Sequence, residues 1–499
     1  MMEVSLTASI QAKPPPDHTV QLDDTYRGDA GEKAPLLPDL FLHDIATITS
    51  PEQVPLTVEA GQNPSPPEAA AMAKAAPAAS PSPIYIDPTA AGPGDGSIDA
   101  PFRSWHDVTW NDGASYLQKA GTAWEGNILV SGDDISIGSY GAGNATLLGS
   151  VVFDGATGGG LSGFTVRGSD YAGVTLTAGA SGVTISGNTV TENAGGVWFS
   201  QTSGGDNVIT GNSVSGNLGF GIALDRVATP AGHGNRIEGN TVAYNGSHGI
   251  DVYANNTLVD DNTVFGNGRL VEGASGIHVY ARALSEGLGQ DNVISGNVSY
   301  GNLDSGGNDG IGILLDHYTS GNLVENNFAF SNDGAGISIH GAAGNTVAGN
   351  TLFGNLLDRS DSHTVVAEML INSNPALGNN LTHDNVITDN TVLSDHAQGF
   401  ALYVDAESAP LDNAFDGNLW QSPNGPLVHD GTLTLATAEA LEASARHGED
   451  RAEGFTLAAA PVGEMEHDLN GLQLILDGRA AELEGWDSTV GLVGDWILT

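Results

Sequence analysis

An asparagine-led phrase recurs along most of this 499-residue chain at short and nearly regular intervals. The phrase has the form Asn-x-aliphatic and begins at Asn188, Asn212, Asn240, Asn262, Asn297, Asn327, Asn350, Asn390 and Asn418. Its shortest intervals are 22 to 24 residues, and the longer intervals contain inserts. A period of this length is typical of solenoids, in which each repeat buries its apolar face against the next repeat.

Two further phrases accompany the first in most repeats. One precedes it, as in DNVITGN and GNRIEGN, and the other is Gly-aliphatic-x-aliphatic, as in GIDV and GIHV. Three short strands per repeat, separated by Gly and Asn turns, predict an all-β fold in which each coil of a solenoid contains three strands. Asparagine suits such turns because it tolerates left-handed backbone geometry, and stacked Asn amides can hydrogen-bond from coil to coil.

Shifts in composition divide the chain into four predicted segments. Residues 1–83 are rich in Pro, Ala and acidic residues and are predicted to be a disordered extension, because they cannot bury enough apolar surface to fold. Residues 84–139 are predicted to form an N-terminal cap that leads into the solenoid, residues 140–430 the solenoid itself, and residues 431–499 an acidic C-terminal cap or tail with a helical stretch.

The charge of the chain restricts its partners. The sequence has 60 acidic and 15 basic side chains, which gives a formal net charge of −45. Binding to nucleic acid or to an anionic membrane surface requires clustered Lys and Arg, so neither is an expected partner. An anionic polysaccharide would also be repelled unless divalent cations or a local arginine offset the field.

Cysteine is absent from the sequence, which rules out disulfides and thiolate metal sites. The first residues lack a basic segment followed by an apolar stretch, and no apolar run reaches the length of a membrane span. We therefore expect no membrane insertion. We expect a monomer that reaches the cell surface or the extracellular space by a route without an N-terminal signal peptide.

The Gly-aliphatic phrases place polar side chains on one face of their predicted strands. With the glycine counted as position zero, positions one and three are apolar and point inward, as in Ile250 and Val252. Positions two and four must then point outward to an exposed face. Position two holds Trp198, Ala223, Asp251, His278, Leu314 and Ser338, and position four holds Ser200, Asp225, Tyr253, Tyr280, Asp316 and His340.

Neighbouring coils stack about 4.8 Å apart, which brings some of these outward side chains together. The expected neighbours are Asp251 and His278, Asp225 and Tyr253, and Asp316 and His340. Because carboxylate, imidazole and phenol groups converge there, we predict a polysaccharide site. The candidate catalytic residues are Asp225, His248, Asp251, Tyr253, His278, Tyr280 and Asp316, and the candidate sugar-binding residues are Trp198, Arg226, Arg282, His317 and His340. A plain solvated surface is the alternative, because Tyr and charged residues favour exposed strand positions.

Two stretches resemble known β-helix enzymes. The segment PFRSW, followed by GTAW, looks like the start of right-handed parallel β-helix polysaccharide enzymes, and NTVAYNGSHGIDV is similar to a phrase of mannuronan C5-epimerases. The resemblance implies a right-handed parallel β-helix of the polysaccharide lyase and epimerase type. It also implies that His248 is catalytic and that Asp225 matches an aspartate of the epimerase motif. The chain departs from the family at Phe220, where the family has aspartate, and at Ser247, where it has arginine.

Three functions are compatible with these residues. The first is abstraction of the C5 proton of a uronic acid, by a lyase or an epimerase, with the Tyr and His side chains as acid and base and with arginine or Ca²⁺ neutralising the carboxylate. The second is an inverting glycoside hydrolase that uses Asp225 and Asp251, whose Cα atoms would lie roughly 8 Å apart on a diagonal. The third is a non-catalytic glycan-binding or structural surface protein, in which exposed aromatic rings stack on sugars.

Calcium is the cofactor that the loop composition suggests, and no organic cofactor is expected. The loop sequences LVDDN, LDSGGNDG and LLDRSDSH contain clustered aspartates, whose oxygen atoms suit Ca²⁺. Their spacing matches no defined calcium-binding loop, so the metal ligands themselves are not predicted.

Overall fold

A computed structural model describes residues 82–305, 309–357, 367–376, 380–394, 399–422, 425–447 and 450–452. The predicted disordered extension at residues 1–83 lies almost wholly outside this part of the chain, as does most of the predicted acidic tail. The described residues form three long sheets that run along the molecule. None of the described helices is long and apolar enough to cross a membrane.

The first sheet contains the strands that precede the Asn-x-aliphatic phrase. Its strands are β1 (Ile84–Ile86), β2 (Ser115–Lys119), β5 (Ser136–Tyr140), β8 (Gly160–Ser162), β11 (Thr184–Ser186), β14 (Val208–Thr210), β17 (Arg236–Glu238), β20 (Leu258–Asp260), β23 (Val293–Ser295), β26 (Leu323–Glu325), β29 (Thr346–Ala348), β32 (Val386–Thr388) and β35 (Ala414–Asp416).

The second sheet contains the strands of the Asn-x-aliphatic phrase. Its strands are β3 (Ala123–Glu125), β6 (Ala145–Leu148), β9 (Phe164–Arg167), β12 (Thr189–Thr191), β15 (Ser213–Ser215), β18 (Thr241–Ala243), β21 (Thr263–Phe265), β24 (Val298–Tyr300), β27 (Phe328–Phe330), β30 (Thr351–Phe353), β33 (Thr391–Leu393) and β36 (Leu419–Gln421).

The third sheet contains the strands of the Gly-aliphatic phrase. Its strands are β4 (Ile128–Val130), β7 (Val151–Asp154), β10 (Ala172–Thr177), β13 (Gly195–Phe199), β16 (Ile222–Val227), β19 (Ile250–Ala254), β22 (Ile277–Val279), β25 (Ile313–Asp316), β28 (Ile337–His340), β31 (Ala367–Asn372), β34 (Phe400–Val404), β37 (Val428–Asp430) and β38 (Leu433–Leu435). Two 3₁₀ turns, Trp105–Asp107 and Leu284–Glu286, and one short helix, α1 (Ala438–Glu442), complete the described elements.

Every strand except β38 pairs in parallel with its counterpart one coil away, which confirms the predicted parallel β-helix with three strands per coil. Strand β38 pairs antiparallel with β37 at the end of the stack. The predicted cap, residues 84–139, already contributes β1 to β4 and most of β5 to the same sheets. Inward side chains such as Ile250 and Val252 are fully buried in a single apolar core.

The repeated asparagines form ladders that hydrogen-bond from coil to coil, as predicted. In the ladder of the Asn-x-aliphatic phrase, the Nδ2 atom of Asn262 donates to Oδ1 of Asn297 at 3.0 Å and to the carbonyl of Ile237 at 2.8 Å. The same amide accepts from the backbone N–H and the Nδ2 of Asn240, each at 3.0 Å. These buried amides therefore satisfy the polar groups of the turns, which the packed coils close off from water.

The glycine that opens each Gly-aliphatic strand is required by close packing. A Cβ atom on Gly249 would lie 2.5 Å from Val264 Cγ1 and 2.6 Å from the carbonyl oxygen of Gly276 in the next coil. It would also lie 2.8 Å from the ladder amide of Asn267. No side chain fits at these distances, so the glycine allows the turn to pack against the ladder directly before the strand.

Candidate active site

The candidate site lies on the outer side of the third sheet, on β16, β19, β22, β25 and β28. The predicted pairs are in register there: Asp251 pairs with His278, Asp225 with Tyr253, and Asp316 with His340. The regular coil spacing therefore produced these neighbours, as the repeat alignment predicted.

The prediction that this face is exposed is wrong for several of its side chains. Only 8% of His278 and 4% of Tyr253 is exposed, and Ala223, Leu314 and Ser338 are also buried. The residues between β22 and β23 explain part of this burial, because Leu288 from that segment packs against Tyr253 and Ala281. The face is therefore a partly enclosed site rather than an open wall.

His278 lies between two carboxylates. Its Nδ1 is 3.0 Å from Oδ1 of Asp251, and its Nε2 is 3.4 Å from Oδ2 of Asp316. Burial opposes the charged form of the ring, but the hydrogen bonds to both carboxylates outweigh burial and raise the pKa of His278 to about 10. At neutral pH His278 is therefore an imidazolium that donates from both ring nitrogens, and neither nitrogen is open to a substrate.

Asp316 connects three histidines. Besides His278, its carboxylate lies 3.0 Å from Nδ1 of His317 and 3.2 Å from Nδ1 of His340. Burial would raise the pKa of Asp316, but hydrogen bonds from the three rings hold it well below its usual value. Two positive φ angles follow β25, 23° at His317 and 59° at Tyr318, and such backbone is strained in residues with a side chain.

His248 completes one end of this cluster. Its ring stacks on His278 with centroids 4.4 Å apart and planes inclined by 13°. The backbone N–H of Ser275 donates to its Nδ1 at 3.0 Å, so the proton of the neutral ring is on Nε2. Burial, reinforced by the positive charge of His278, lowers the pKa of His248 to about 4. His248 is therefore neutral at pH 7 and can donate from Nε2.

Tyr280 and Tyr253 form the aromatic side of the site. The ring of Tyr280 stacks on His278 at 5.5 Å and meets His317 edge-on at 5.8 Å. The hydroxyl of Tyr253 donates to Glu286, and burial together with this hydrogen bond raises the pKa of Tyr253. Tyr253 is thus committed to a neighbouring carboxylate, and Tyr280 is the phenol that stacks on His278.

The remaining predicted residues lie at the margins of this cluster. Asp225 contacts Arg226, and burial raises the pKa of the Asp225 carboxyl despite that positive charge. Arg282 lies over the ring of Tyr253 at 6.0 Å. Trp198 aligns with Asp251 two strands away and packs edge-on against Tyr171, so it does not join the cluster.

Several neighbours of the site were missed from the sequence. Glu286 accepts a hydrogen bond from the Tyr253 hydroxyl, and the backbone N–H of Ser275 sets the tautomer of His248. The Asn374 amide donates to Nε2 of His317 at 3.2 Å. Glu286 and Asn374 lie outside the aligned phrases, so no repeat signal could place them. Ser275 precedes Gly276 just as His248 precedes Gly249, and that column of the alignment could have indicated it.

Two groups of side chains within the described residues could hold a metal ion. They are His248, Asp251 and His278, and Asp316, His317 and His340, each with ligand atoms within 4.8 Å of one another. Of the loops predicted to suit Ca²⁺, LVDDN contains all of β20, in which Asp260 accepts from Ser295, and the turn that follows it. The other two loops extend into residues outside the described part of the chain.

The different charge states of the two stacked rings lead to a direct test by pH titration. His278 is expected to stay protonated to about pH 10 and His248 to stay neutral down to about pH 4. The pKa of His278 is higher in the folded chain than in the unfolded chain, where it is near 6.5, so the charged ring stabilises the fold. This stabilisation is complete below about pH 6.5 and is lost as pH rises through about 10. Histidine side-chain NMR would measure both pKa values, with the signals assigned from His278→Gln and His248→Gln proteins. Titration of either ring near pH 6.5 would contradict the predicted charge states.

The fold and the family match together define the class of this protein. Residues 125–286 match the family model described as right handed beta helix region, and the three parallel sheets agree with it, so the chain is a right-handed parallel β-helix protein. Residues 231–431 match a second family model, described as periplasmic copper-binding protein (NosD). A comparison with curated proteins finds no similar sequence.

Solved structures with similar coils include enzymes of several kinds. The A-module of mannuronan C-5 epimerase AlgE6 from Azotobacter vinelandii is 16% identical, with 68% of this chain and 89% of that chain covered and a TM-score of 0.49. The GH136 lacto-N-biosidase from Eubacterium ramulus is 13% identical, covering 74% and 68%, with a TM-score of 0.48. A mannuronic acid specific family 6 lyase from human gut microbiota is 11% identical, covering 72% and 88%, with a TM-score of 0.48.

Proposed function

We propose that this protein is an enzyme that abstracts the C5 proton of a uronic acid residue in a polysaccharide, as a lyase or a C5-epimerase. The observation that carries the proposal is the series of rings on the third sheet. Neutral His248 stacks on charged His278, which in turn stacks against Tyr280. Adjacent groups held in different protonation states are what acid and base catalysis at one centre requires.

Each ring has a separate role in this proposal. Tyr280, as the phenolate beside the charged ring of His278, takes the C5 proton, and neutral His248 donates a hydrogen bond from Nε2 to O4 of the sugar. In a lyase, the electron pair of the C5–H bond forms the C4–C5 double bond, the C4–O4 bond breaks, and O4 receives the proton from the Tyr280 phenol. In an epimerase, C5 instead receives a proton from water on the opposite face, and the proton on Tyr280 is released to solvent. His278, enclosed between Asp251 and Asp316, positions the other two rings without contacting the sugar.

The carboxylate of the sugar needs a positive partner in this acidic protein. Arg282 lies beside the ring cluster, over Tyr253, and Arg226 pairs with Asp225. The imidazole and carboxylate groups of the site also fit a divalent metal, including the copper named in the second family description. When bound, such an ion would neutralise the carboxylate and so stabilise the charge that develops at C5.

A pair of substitutions separates this mechanism from hydrolysis. Tyr280→Phe is expected to lower turnover by about 10²- to 10⁴-fold, because the base is lost while the ring remains. Asp225→Asn is expected to retain most of the activity. Measurement would follow unsaturated uronates by ultraviolet absorbance and C5 inversion by NMR. Full activity in a folded Tyr280→Phe protein would contradict the role of Tyr280.

One observation favours an inverting glycoside hydrolase as the second candidate. Burial raises the pKa of Asp225, whereas the hydrogen bond from His278 more than offsets burial and lowers the pKa of Asp251. Two carboxyls whose pKa values are shifted in opposite directions are the pattern of such enzymes. Loss of activity in Asp225→Asn, together with new reducing ends and no unsaturated product, would select hydrolysis.

The first experiment is an activity panel on the purified protein. It would use alginate, polymannuronate, pectate and neutral glycans, each with added divalent metal and with chelator. Unsaturated or inverted uronate would support the proposal, and reducing ends alone would favour the hydrolase. Stable glycan binding without any product would favour the non-catalytic alternative. An extracellular or periplasmic location, where such polymers occur, is part of the same proposal.

A further inference from the structure

Three ligand atoms converge on the outer side of β25 and β28. The carboxylate of Asp316 lies 3.0 Å from Nδ1 of His317 and 3.2 Å from Nδ1 of His340. Asp316 and His340 are in register on adjacent strands, and His317 follows Asp316 directly. The stacked coils, rather than a long loop, therefore set the spacing of the three groups.

We propose that Asp316, His317 and His340 bind one divalent transition-metal ion, of the kind represented by Zn²⁺ and Cu²⁺. Two imidazoles and one carboxylate are the donors that such ions prefer. Calcium prefers six to eight oxygen ligands and is a poor match to a site with two nitrogen donors. This assignment therefore departs from the calcium expected from the loop composition.

Geometry favours this group over His248, Asp251 and His278. Both nitrogens of His278 already face carboxylates, at 3.0 and 3.4 Å, so its ring has no free electron pair in this arrangement. Nδ1 of His248 accepts from the backbone of Ser275, and its other nitrogen carries the proton. By contrast, a metal ion among Asp316, His317 and His340 needs only a shift of the ring proton from Nδ1 to Nε2 in each histidine.

The surroundings of His317 supply a partner for that shifted proton. The side-chain amide of Asn374 lies 3.2 Å from Nε2 of His317, and an Asn amide offers a carbonyl oxygen as well as N–H groups. Turning the amide would let that oxygen accept from Nε2–H, as the outer partners of metal-bound histidines do. His317 is itself only 8% exposed, so the ring is held in place by its surroundings.

The proposed metal site extends the proposed function. Only the catalytic role of the ion rests on that function, whereas its binding does not. Tyr280, the proposed base, packs edge-on against the His317 ring at 5.8 Å. A cation next to that ring would bring a uronate carboxylate towards Tyr280 and offset the charge of Asp251 and Asp316. We expect the site to select an anionic sugar only when the metal is bound.

Metal binding by the full chain, after treatment with chelator, tests the site directly. Calorimetry and elemental analysis with ZnCl₂, CuCl₂ and CaCl₂ are expected to show one Zn²⁺ or Cu²⁺ per chain and no competition from Ca²⁺ at that site. His317→Ala and His340→Ala are each expected to weaken binding at least ~100-fold, and Asn374→Ala about 10-fold. His233→Ala is the matched control, because His233 forms a surface pair with Asp206 and should not change the affinity.

The spectrum of the bound metal gives a second readout, which does not depend on activity. Electron paramagnetic resonance of the Cu²⁺ protein should show coupling to two imidazole nitrogens, and His340→Gln should leave one. Circular dichroism and melting temperature would establish that each variant is folded. Wild-type affinity in folded His317→Ala and His340→Ala proteins, or loss of binding in His248→Ala alone, would overturn the assignment.

The two proposals fail in different ways. If the chain binds the ion but forms no product from any uronan, the metal site stands and the proposed reaction falls. If chelator-treated protein without measurable metal affinity still forms unsaturated or inverted uronates, the reaction stands and the metal site falls.

Discussion

Replacing His278 with glutamine is expected to lower turnover about 10²- to 10⁴-fold, with a much smaller change in KM. In the native protein His278 is a charged ring that lies between Asp251 and Asp316 and stacks on His248 and Tyr280. Glutamine can still hydrogen-bond but supplies neither the charge nor the ring. Because acid–base catalysis typically contributes factors of this size, disturbing both reacting groups should cost as much.

The pH profile distinguishes this positioning role from a general loss of structure. Without the charge of His278, the pKa of His248 should rise towards its ordinary value, because that charge helps to lower it. The acidic limb of the activity profile in His278→Gln should therefore move to higher pH. His233→Gln, which changes an exposed histidine paired with Asp206, is the control and should keep native kinetics. A folded His278→Gln protein with native turnover would refute the role.

Replacing Asn262 with alanine is expected to lower the free energy of unfolding by roughly 3–5 kcal/mol. The substitution removes the acceptor of the Asn240 N–H and of its Nδ2, and it removes the donor to the Ile237 carbonyl. These groups are buried in the turn, where no water can replace the amide. Each unsatisfied buried group costs about 1–3 kcal/mol, so two or three of them account for the expected loss.

The neighbouring residue provides the control for this ladder. Thr263 directly follows Asn262, starts β21, points outward and is partly exposed, so Thr263→Ala should change stability by less than about 0.5 kcal/mol. Urea unfolding followed by circular dichroism would compare the two variants. If both variants lose a similarly small free energy of unfolding, the Asn262 amide contributes no more to stability than the outward-facing Thr263 side chain.

The ladders also connect the fold to the site. A separate ladder runs through Asn245, Asn267 and Asn302, directly before the strands that carry the site. It continues to Glu368, a fully buried carboxylate that accepts from the N–H and the side chain of Asn355. Asn245 lies three residues before His248, and a Cβ on the following Gly249 would lie 2.8 Å from the amide of Asn267, so the backbone that carries the His248 ring packs against this ladder.

Much of the fold could be predicted because every coil of a solenoid repeats the same arrangement of strands and turns. The Asn-x-aliphatic phrases aligned the coils, and a fixed coil spacing turned that alignment into contacts across the third sheet. The pairs Asp251 with His278 and Asp316 with His340 follow from this rule alone. The neighbours Glu286 and Asn374 do not, because they lie in segments that belong to no repeat.

The sequence by itself determined the three-strand coil, the asparagine ladders and the rows of polar residues on one sheet, since each depends on a period that can be read along the chain. Only the tertiary structure decided which of those side chains are enclosed and which are charged. Hydrogen bonds to two carboxylates keep His278 a cation despite its burial, whereas burial keeps His248 neutral and the N–H of Ser275 sets its tautomer. Protonation depends on the distances and burial of groups far apart in sequence, and no periodic pattern encodes those distances.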